Sequence, residues 1–175
     1  MNVNEGLKID RIWKITRYKN DEAYVKNQPS EVLDGVTGKV LPAESIIEGN
    51  VLLNEGIAEL LDLLCGLGSP TAFSNANAYV GVGDDTTAES AAQTGLIAAS
   101  NKVYVAMEAS YPSRSGQTVT WRGVFGSGVA NFDWREFTVA NGNSNSAKNL
   151  NRKVSTQGTK ASGQTWTLDL SITIS

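Results

Sequence analysis

QTWTLDLSITIS, residues 164–175, alternates without a break. Trp166, Leu168, Leu170, Ile172 and Ile174 fall on one side of an extended chain, and Thr165, Thr167, Asp169, Ser171 and Thr173 on the other. Successive side chains of a strand point to opposite faces, so the pattern predicts a strand with one buried apolar face and one polar face. Such a strand belongs to an antiparallel sheet packed on one side.

The same period recurs toward the N-terminus. Val103, Val105 and Met107 share a side in NKVYVAMEA (101–109), as do Val119, Trp121 and Phe125 in QTVTWRGVF (117–125). AYVGVG (78–83) reads as a short strand. In NFDWREFTVA (131–140) Phe132 and Trp134 share one face and Phe137 and Val139 the other, which predicts a bulge near Arg135–Glu136. Turns rich in Gly, Ser and Asn, such as GSGVAN and NGNSNSAKN, separate these runs.

One segment changes period. In NVLLNEGIAELLDLLCGLG (50–68), Leu52, Leu53, Ile57, Leu60, Leu61 and Leu64 recur at three- and four-residue spacing, which predicts a packed helix over about 50–65. Asn50 is the expected N-cap, Gly66 and Gly68 the stop, and Gly56 a point of close packing. Cys65 is expected to be a buried, inert thiol among leucines. The expected fold is mainly β: an antiparallel β-sandwich or small barrel with one packed helix, occupying residues 50–175. There is no internal repeat or heptad register to support a fibre shaft.

Residues 1–49 read differently, as an extended N-terminal arm with one short strand near 7–18. Pro29, Pro42, Gly35 and Gly38 interrupt the rest, and its apolar residues keep no period. Such an arm either wraps its own core or clasps a neighbouring subunit. In the clasp reading Trp13, Tyr18, Tyr24, Pro29 and Pro42 are the assembly contacts.

Composition narrows the chemistry. The chain of 175 residues is 41% hydrophobic but only 19% charged, which suits a β-rich protein that buries surface against neighbours. Its net charge of −3 offers no general attraction to nucleic acid or an anionic membrane. It contains no histidine, which removes the usual general base and the commonest metal ligand. A single cysteine excludes an intrachain disulfide. No apolar run reaches the roughly 18 residues of a membrane span, and Met1–Glu5 lacks the start of a secretory signal, so a soluble protein is expected, one that does not leave its cell by the ordinary secretory route.

YVGVGDDTTAESAAQTGLI (79–97) is the stretch most suggestive of a ligand site. A dinucleotide loop needs a third glycine where Thr86 stands, and a nucleotide P-loop needs a lysine that does not follow. Asp84, Asp85 and Glu89 are the candidate cation ligands, but the calcium-loop pattern is absent and adjacent aspartates on an extended chain diverge. A strand end, a turn and a short helix capped by Asp85 or Thr86 explain the stretch without a cofactor or metal. Asp133 and Glu136 form a carboxylate pair with nothing to set a catalytic separation, and Arg135–Glu136 reads as a surface or cross-strand pair. Lys148, Arg152, Lys153 and Lys160 read as a solvated basic face, without the interleaved aromatics that stack on bases. Trp121, Phe125, Phe132, Trp134 and Trp166 are expected in the core; an exposed carbohydrate platform is the other reading.

Four stretches in order carry a family resemblance: GNVLLNEGIAELLDLL, FSNANAYVGVGDDTTAESAAQTGL, VTWRGVFGSGVANFDWREFTVANG and LNRKVSTQGTKASGQTWTLDLSITIS. Together, over about residues 49–175, they resemble small virion structural proteins of tailed bacteriophages, including the head region of tail-collar and fibre proteins. The resemblance implies a non-enzymatic β-sandwich with no catalytic residues and no cofactor. Lacking a repeat and carrying an added N-terminal segment, the chain is expected to be a compact module rather than a fibre. It is expected to act as a decoration (cement) protein on the head exterior, assembled in the host cytoplasm. Its expected partners are the major capsid protein and copies of itself, in a trimer. A tail, collar, fibre or baseplate component is the alternative, and a glycan- or receptor-binding module a further one.

Overall fold

The computed structural model describes residues 6–175; Met1–Glu5, read above as lacking a secretory signal, lie outside them. One five-stranded antiparallel sheet contains, in spatial order, β4 (Glu44–Glu48), β1 (Ile9–Tyr18), β12 (Thr165–Ile174), β9 (Thr118–Phe125) and β8 (Ser113–Ser115). A second contains β5 (Val51–Leu52), β11 (Asn151–Val154), β10 (Glu136–Ala140), β6 (Tyr79–Gly83) and β7 (Lys102–Ala106). A small hairpin pairs β2 (Val32–Leu33) with β3 (Val40–Leu41). Two helices, α1 (Asp21–Val25) and α2 (Asn54–Cys65), complete the fold. It is a β-sandwich and not a closed barrel.

β12 is the spine of the first sheet. It pairs with β1 from Ile9↔Ile174 to Tyr18↔Thr165 and with β9 from Trp166↔Phe125 to Thr173↔Thr118. This register sets Leu170 beside Trp13 and Trp121, and Leu168 beside Ile15 and Gly123. Trp166, Leu168 and Leu170 are fully buried, whereas Ile172 is half-buried and Ile174 exposed, because the apolar face outruns the facing sheet. Across the core, Trp134 lies edge-on to Phe125 at 4.7 Å and to Trp166 at 4.9 Å. Gly123 is where the sheets touch: a Cβ there would lie 2.7 Å from both Val105 and Val80.

The polar face of β12 is not solvated along its first half. Thr165 and Thr167 are 1% exposed and Asp169 is 6% exposed. Asp169 accepts two bonds from Arg122, at 2.7 and 2.6 Å, and the Arg122 guanidinium lies 4.7 Å from the centre of the Tyr111 ring. The Thr165 hydroxyl donates to Asp21 of α1. Alternation thus locates the two faces, while local polar packing decides that both are covered.

Of the segment expected as an N-terminal arm (1–49), the described residues 6–49 do not stand apart but lie on the chain's own core, as in the first of the two readings. β1 lies between β4 and β12, and its Trp13 and Ile15 are fully buried. Its alternation is masked because the inward face also carries Arg11 and Arg17. Arg17 closes one end of the core with its guanidinium 4.6 Å from the centre of the Trp166 ring, and it donates to the Pro42 carbonyl (3.0 Å) and the Ser45 hydroxyl (2.8 Å). Burial lowers its pKa from 12.5 to about 10.

Two further expectations are corrected. α2 begins at Asn54 rather than Asn50, because Val51–Leu52 are taken up as β5 against Asn151–Arg152. Leu53 is its N-cap residue, and the Asn50 side chain makes no capping bond. Gly66 closes the helix in the left-handed region (φ 65°), as its position suggested. Residues 86–98 form no helix. There the Ile97 and Ala98 N–H groups donate to the buried Glu136 carboxylate (3.0 and 2.8 Å), and Ser90 N–H donates to the Gln93 side chain. The face change near Arg135 is met by the start of β10 at Glu136, after an irregular turn at Trp134–Arg135.

Candidate functional site

The glycines of the GVGDD stretch make room for protein, not for phosphate. A Cβ on Gly83 would lie 2.4 Å from the Glu136 carboxylate, and one on Gly81 would lie 2.7 Å from the Tyr104 ring. Behind them, Glu136 and Arg152 form a fully buried ion pair at 2.8 Å. Arg152 also donates to the Thr87 carbonyl (2.8 Å) and the Gln93 side chain (3.1 Å), which ties the 84–98 loop to the sheet. Glu136 is therefore not half of a surface pair with Arg135, whose Nε donates instead to Asp133 at 2.6 Å.

The three candidate cation ligands diverge. Asp84 accepts from the Asn101 amide at 2.7 Å. Asp85 accepts from Thr87 N–H at 2.6 Å and lies 3.6 Å from Arg152. The Thr87 hydroxyl and N–H, with help from Arg152, hold the Asp85 carboxyl below its ordinary range. Glu89 accepts from Val154 N–H at 2.6 Å. Each carboxylate holds a different part of the loop, and no metal-binding group of three such side chains occurs among the described residues.

The remaining candidates are also dispersed. Of the supposed basic face, Arg152 and Lys160 are fully buried, Lys153 is half-buried and only Lys148 is exposed. Lys160 donates to the Gly126 carbonyl at 2.8 Å and to the Asn131 side chain at 2.6 Å, and burial lowers its pKa from 10.5 to about 8. Trp13, Trp121, Trp134 and Trp166 are all buried, so no tryptophan offers a platform for a sugar ring. Among the assembly candidates, Trp13 and Tyr18 belong to the interior. Tyr24 lies edge-on to Tyr18 at 5.4 Å and bonds Glu108, while Pro29 and Pro42 are exposed.

What residues 6–49 do expose is an apolar hairpin. VLDGVTGKVL (32–41) carries a pair of apolar residues on each side of a turn, a signal present in the sequence. Val32 and Leu41 pair across the strands and pack on the core. Leu33 and Val40 pair facing outward, 58% and 61% exposed, and Val36 at the turn is 80% exposed. Leu33, Val40 and the edge of Val32, together with Lys19, Glu31, Ser162 and Gln164, line a shallow groove of about 540 Å³.

The hairpin is held firmly. Asp34 accepts from the N–H groups of Val36 (3.0 Å), Thr37 (2.7 Å) and Thr159 (2.7 Å). Burial pushes the Asp34 pKa up, but those bonds outweigh it and leave it at about 2. Gln164, at the head of β12, donates to the Leu33 carbonyl at 2.7 Å. The groove is thus apolar, anchored to the sandwich and edged by one charge of each sign. Comparison with protein-family models, curated proteins and solved structures finds no match.

Proposed function

We propose that this chain is a non-enzymatic structural component of a tailed-phage virion, acting as a decoration protein that cements the head exterior. The observation that carries this reading is the outward apolar pair Leu33 and Val40, with Val36, on a hairpin braced by Asp34. A preorganised apolar surface gains affinity because little of it must be ordered on binding. The ordered resemblance over residues 49–175 supplies the virion context. Asp84, Asp85, Glu89, Arg152 and Lys160 are compatible with the same reading, since each holds a loop.

The major capsid protein is the proposed partner, with the groove between Lys19 and Glu31 receiving an apolar side chain from the shell. The test is co-sedimentation with shells of the encoding phage that lack this protein. Wild type is expected to saturate them at a copy number matching the capsid subunits. A folded Leu33→Asp/Val40→Asp variant is expected to bind at least about tenfold more weakly, the loss of an apolar anchor. Absence of wild-type binding overturns the head placement. Recovery from virions in the few copies of a tail or neck ring selects the tail alternative.

A further inference from the structure

Helix α2 is amphipathic in the opposite sense to its position. Its inward side is mostly small and polar, with Leu63 its one apolar contact to the core. Gly56 lies against the Leu150 backbone, Glu55 accepts from Asn149 N–H at 2.8 Å, and Glu59 accepts from Thr71 N–H (2.6 Å) and the Asn141 amide (2.9 Å). Its outward side carries Ile57, Leu60, Leu61 and Leu64, which are 40%, 41%, 55% and 81% exposed, followed by Leu67 at 58%. Cys65, expected among buried leucines, is exposed beside them.

We propose that this stripe is the seam of a two-fold homodimer, in which the α2 helices of two copies pack antiparallel. Three observations select a second copy as the occupant. First, the stripe reads the same in both directions: Ile-x-x-Leu-Leu-x-x-Leu is symmetric about the Leu60–Leu61 bond. A two-fold axis there sets Ile57 on the partner's Leu64 and Leu60 on the partner's Leu61, the self-complementarity that an isologous interface requires.

Second, charge favours this arrangement. The charged residues of α2 lie off the stripe, Glu59 buried and Glu55 and Asp62 half-buried, so the apolar positions of two copies can meet with no charge between them. Glu55 lies in the first turn and no basic residue lies in the last. Parallel association, as in a trimer around one axis, would collect uncompensated negative helix ends, whereas antiparallel pairing keeps them apart.

Third, the apolar area is large. The five exposed side chains present on the order of 500 Å², at the upper end of the patches that monomers expose. That supplies more than half of the roughly 800 Å² that each partner contributes to a standard interface.

The pairing goes beyond the virion reading and does not depend on it. Sedimentation velocity over a concentration series is expected to show a wild-type dimer. Leu61→Glu is expected to dissociate at least about tenfold more readily with an unchanged circular dichroism spectrum, and Leu33→Asp/Val40→Asp to remain dimeric. Geometry is read by oxidation in a Cys65→Ser background. A mixture of Ile57→Cys and Leu64→Cys chains is expected to cross-link, and neither chain alone, since equivalent positions lie about 10 Å apart along the axis. A wild type monomeric throughout, self-cross-linking of either single variant, or a mixture that forms no cross-link overturns the proposal. So does a monomer that loses shell binding on Leu61→Glu, because the stripe then faces another virion protein.

Discussion

β12 and α2 carry the two most regular apolar patterns in the chain, and they are used in opposite ways. In β12 the apolar side meets Trp13, Ile15 and Trp121 in the core, and the polar side is covered as well. In α2 the inward side carries Glu55, Gly56 and Glu59 with Leu63 as its apolar contact, and the other leucines face outward. The difference teaches that periodicity reports two faces without saying which one is buried. A strand at the centre of a sheet has that choice made by both neighbours. A helix lying on a sheet is seated by whatever best satisfies the backbone beneath it. Under α2 that is a stretch of open N–H groups from Thr71 and Asn149, which favours carboxylates.

The strongest way to break the contrast is to put a charge on each apolar side in turn. Leu168→Asp buries a carboxylate beside Ile15 with no partner, and is expected to destabilise by more than about 4 kcal/mol and leave the chain unfolded by circular dichroism. Next in size is the inner side of α2. In Gly56→Ala the new methyl would lie 2.5 Å from the Leu150 backbone, with an expected cost of about 1–3 kcal/mol in urea unfolding.

A pH series separates buried polar groups from exposed ones. Below pH about 8 Lys160 is charged in both folded and unfolded chains, and its burial cost is fully present. Between about 8 and 10.5 the folded state sheds the proton first, so the Lys160 contribution to stability rises with pH. Thermal melts of wild type are expected to show that rise relative to Lys160→Met. The difference is the readout because Tyr24 and Tyr104, pushed up chiefly by burial, contribute stability that is lost above pH about 10. Asp34 acts at the acid end: its depressed pKa contributes stability that is lost as pH falls from 3.8 toward 2, and Asp34→Asn is expected to flatten that limb. The smallest effect belongs to the outer side of α2. Leu64→Glu is expected to leave the unfolding free energy of the monomeric chain within about 0.5 kcal/mol of wild type, measured in urea at low protein concentration.

Much of the second half of the chain was legible because its strands alternate around large aromatics. Val119, Trp121 and Phe125 identify β9, and the tryptophan core follows from their hydrophobicity alone. β1 was legible as a strand but not as a central one, since Arg11 and Arg17 interrupt its apolar face and no local signal announces a stacked, buried arginine. The exposed hairpin was written in VLDGVTGKVL, but its outward apolar side is apparent only once Val32 and Leu41 are seen on the core. The absence of a helix over 86–98 was illegible, because the groups that claim its backbone, Glu136 and Arg152, lie far away in sequence.

By itself, the sequence determined a mainly β chain without histidine chemistry, the period of β12, the glycine stop of α2 and the lack of a phosphate loop. These depend on local sterics, side-chain alternation and the presence or absence of reactive groups. Tertiary structure alone decided that the N-terminal segment completes the sandwich, that the GVGDD glycines accommodate Glu136 and Tyr104, and that α2 turns its leucines outward. Each of those outcomes depends on where backbone donors and buried charges from distant segments come to lie. Satisfying them outweighs the preference of any one segment for burying its own apolar face.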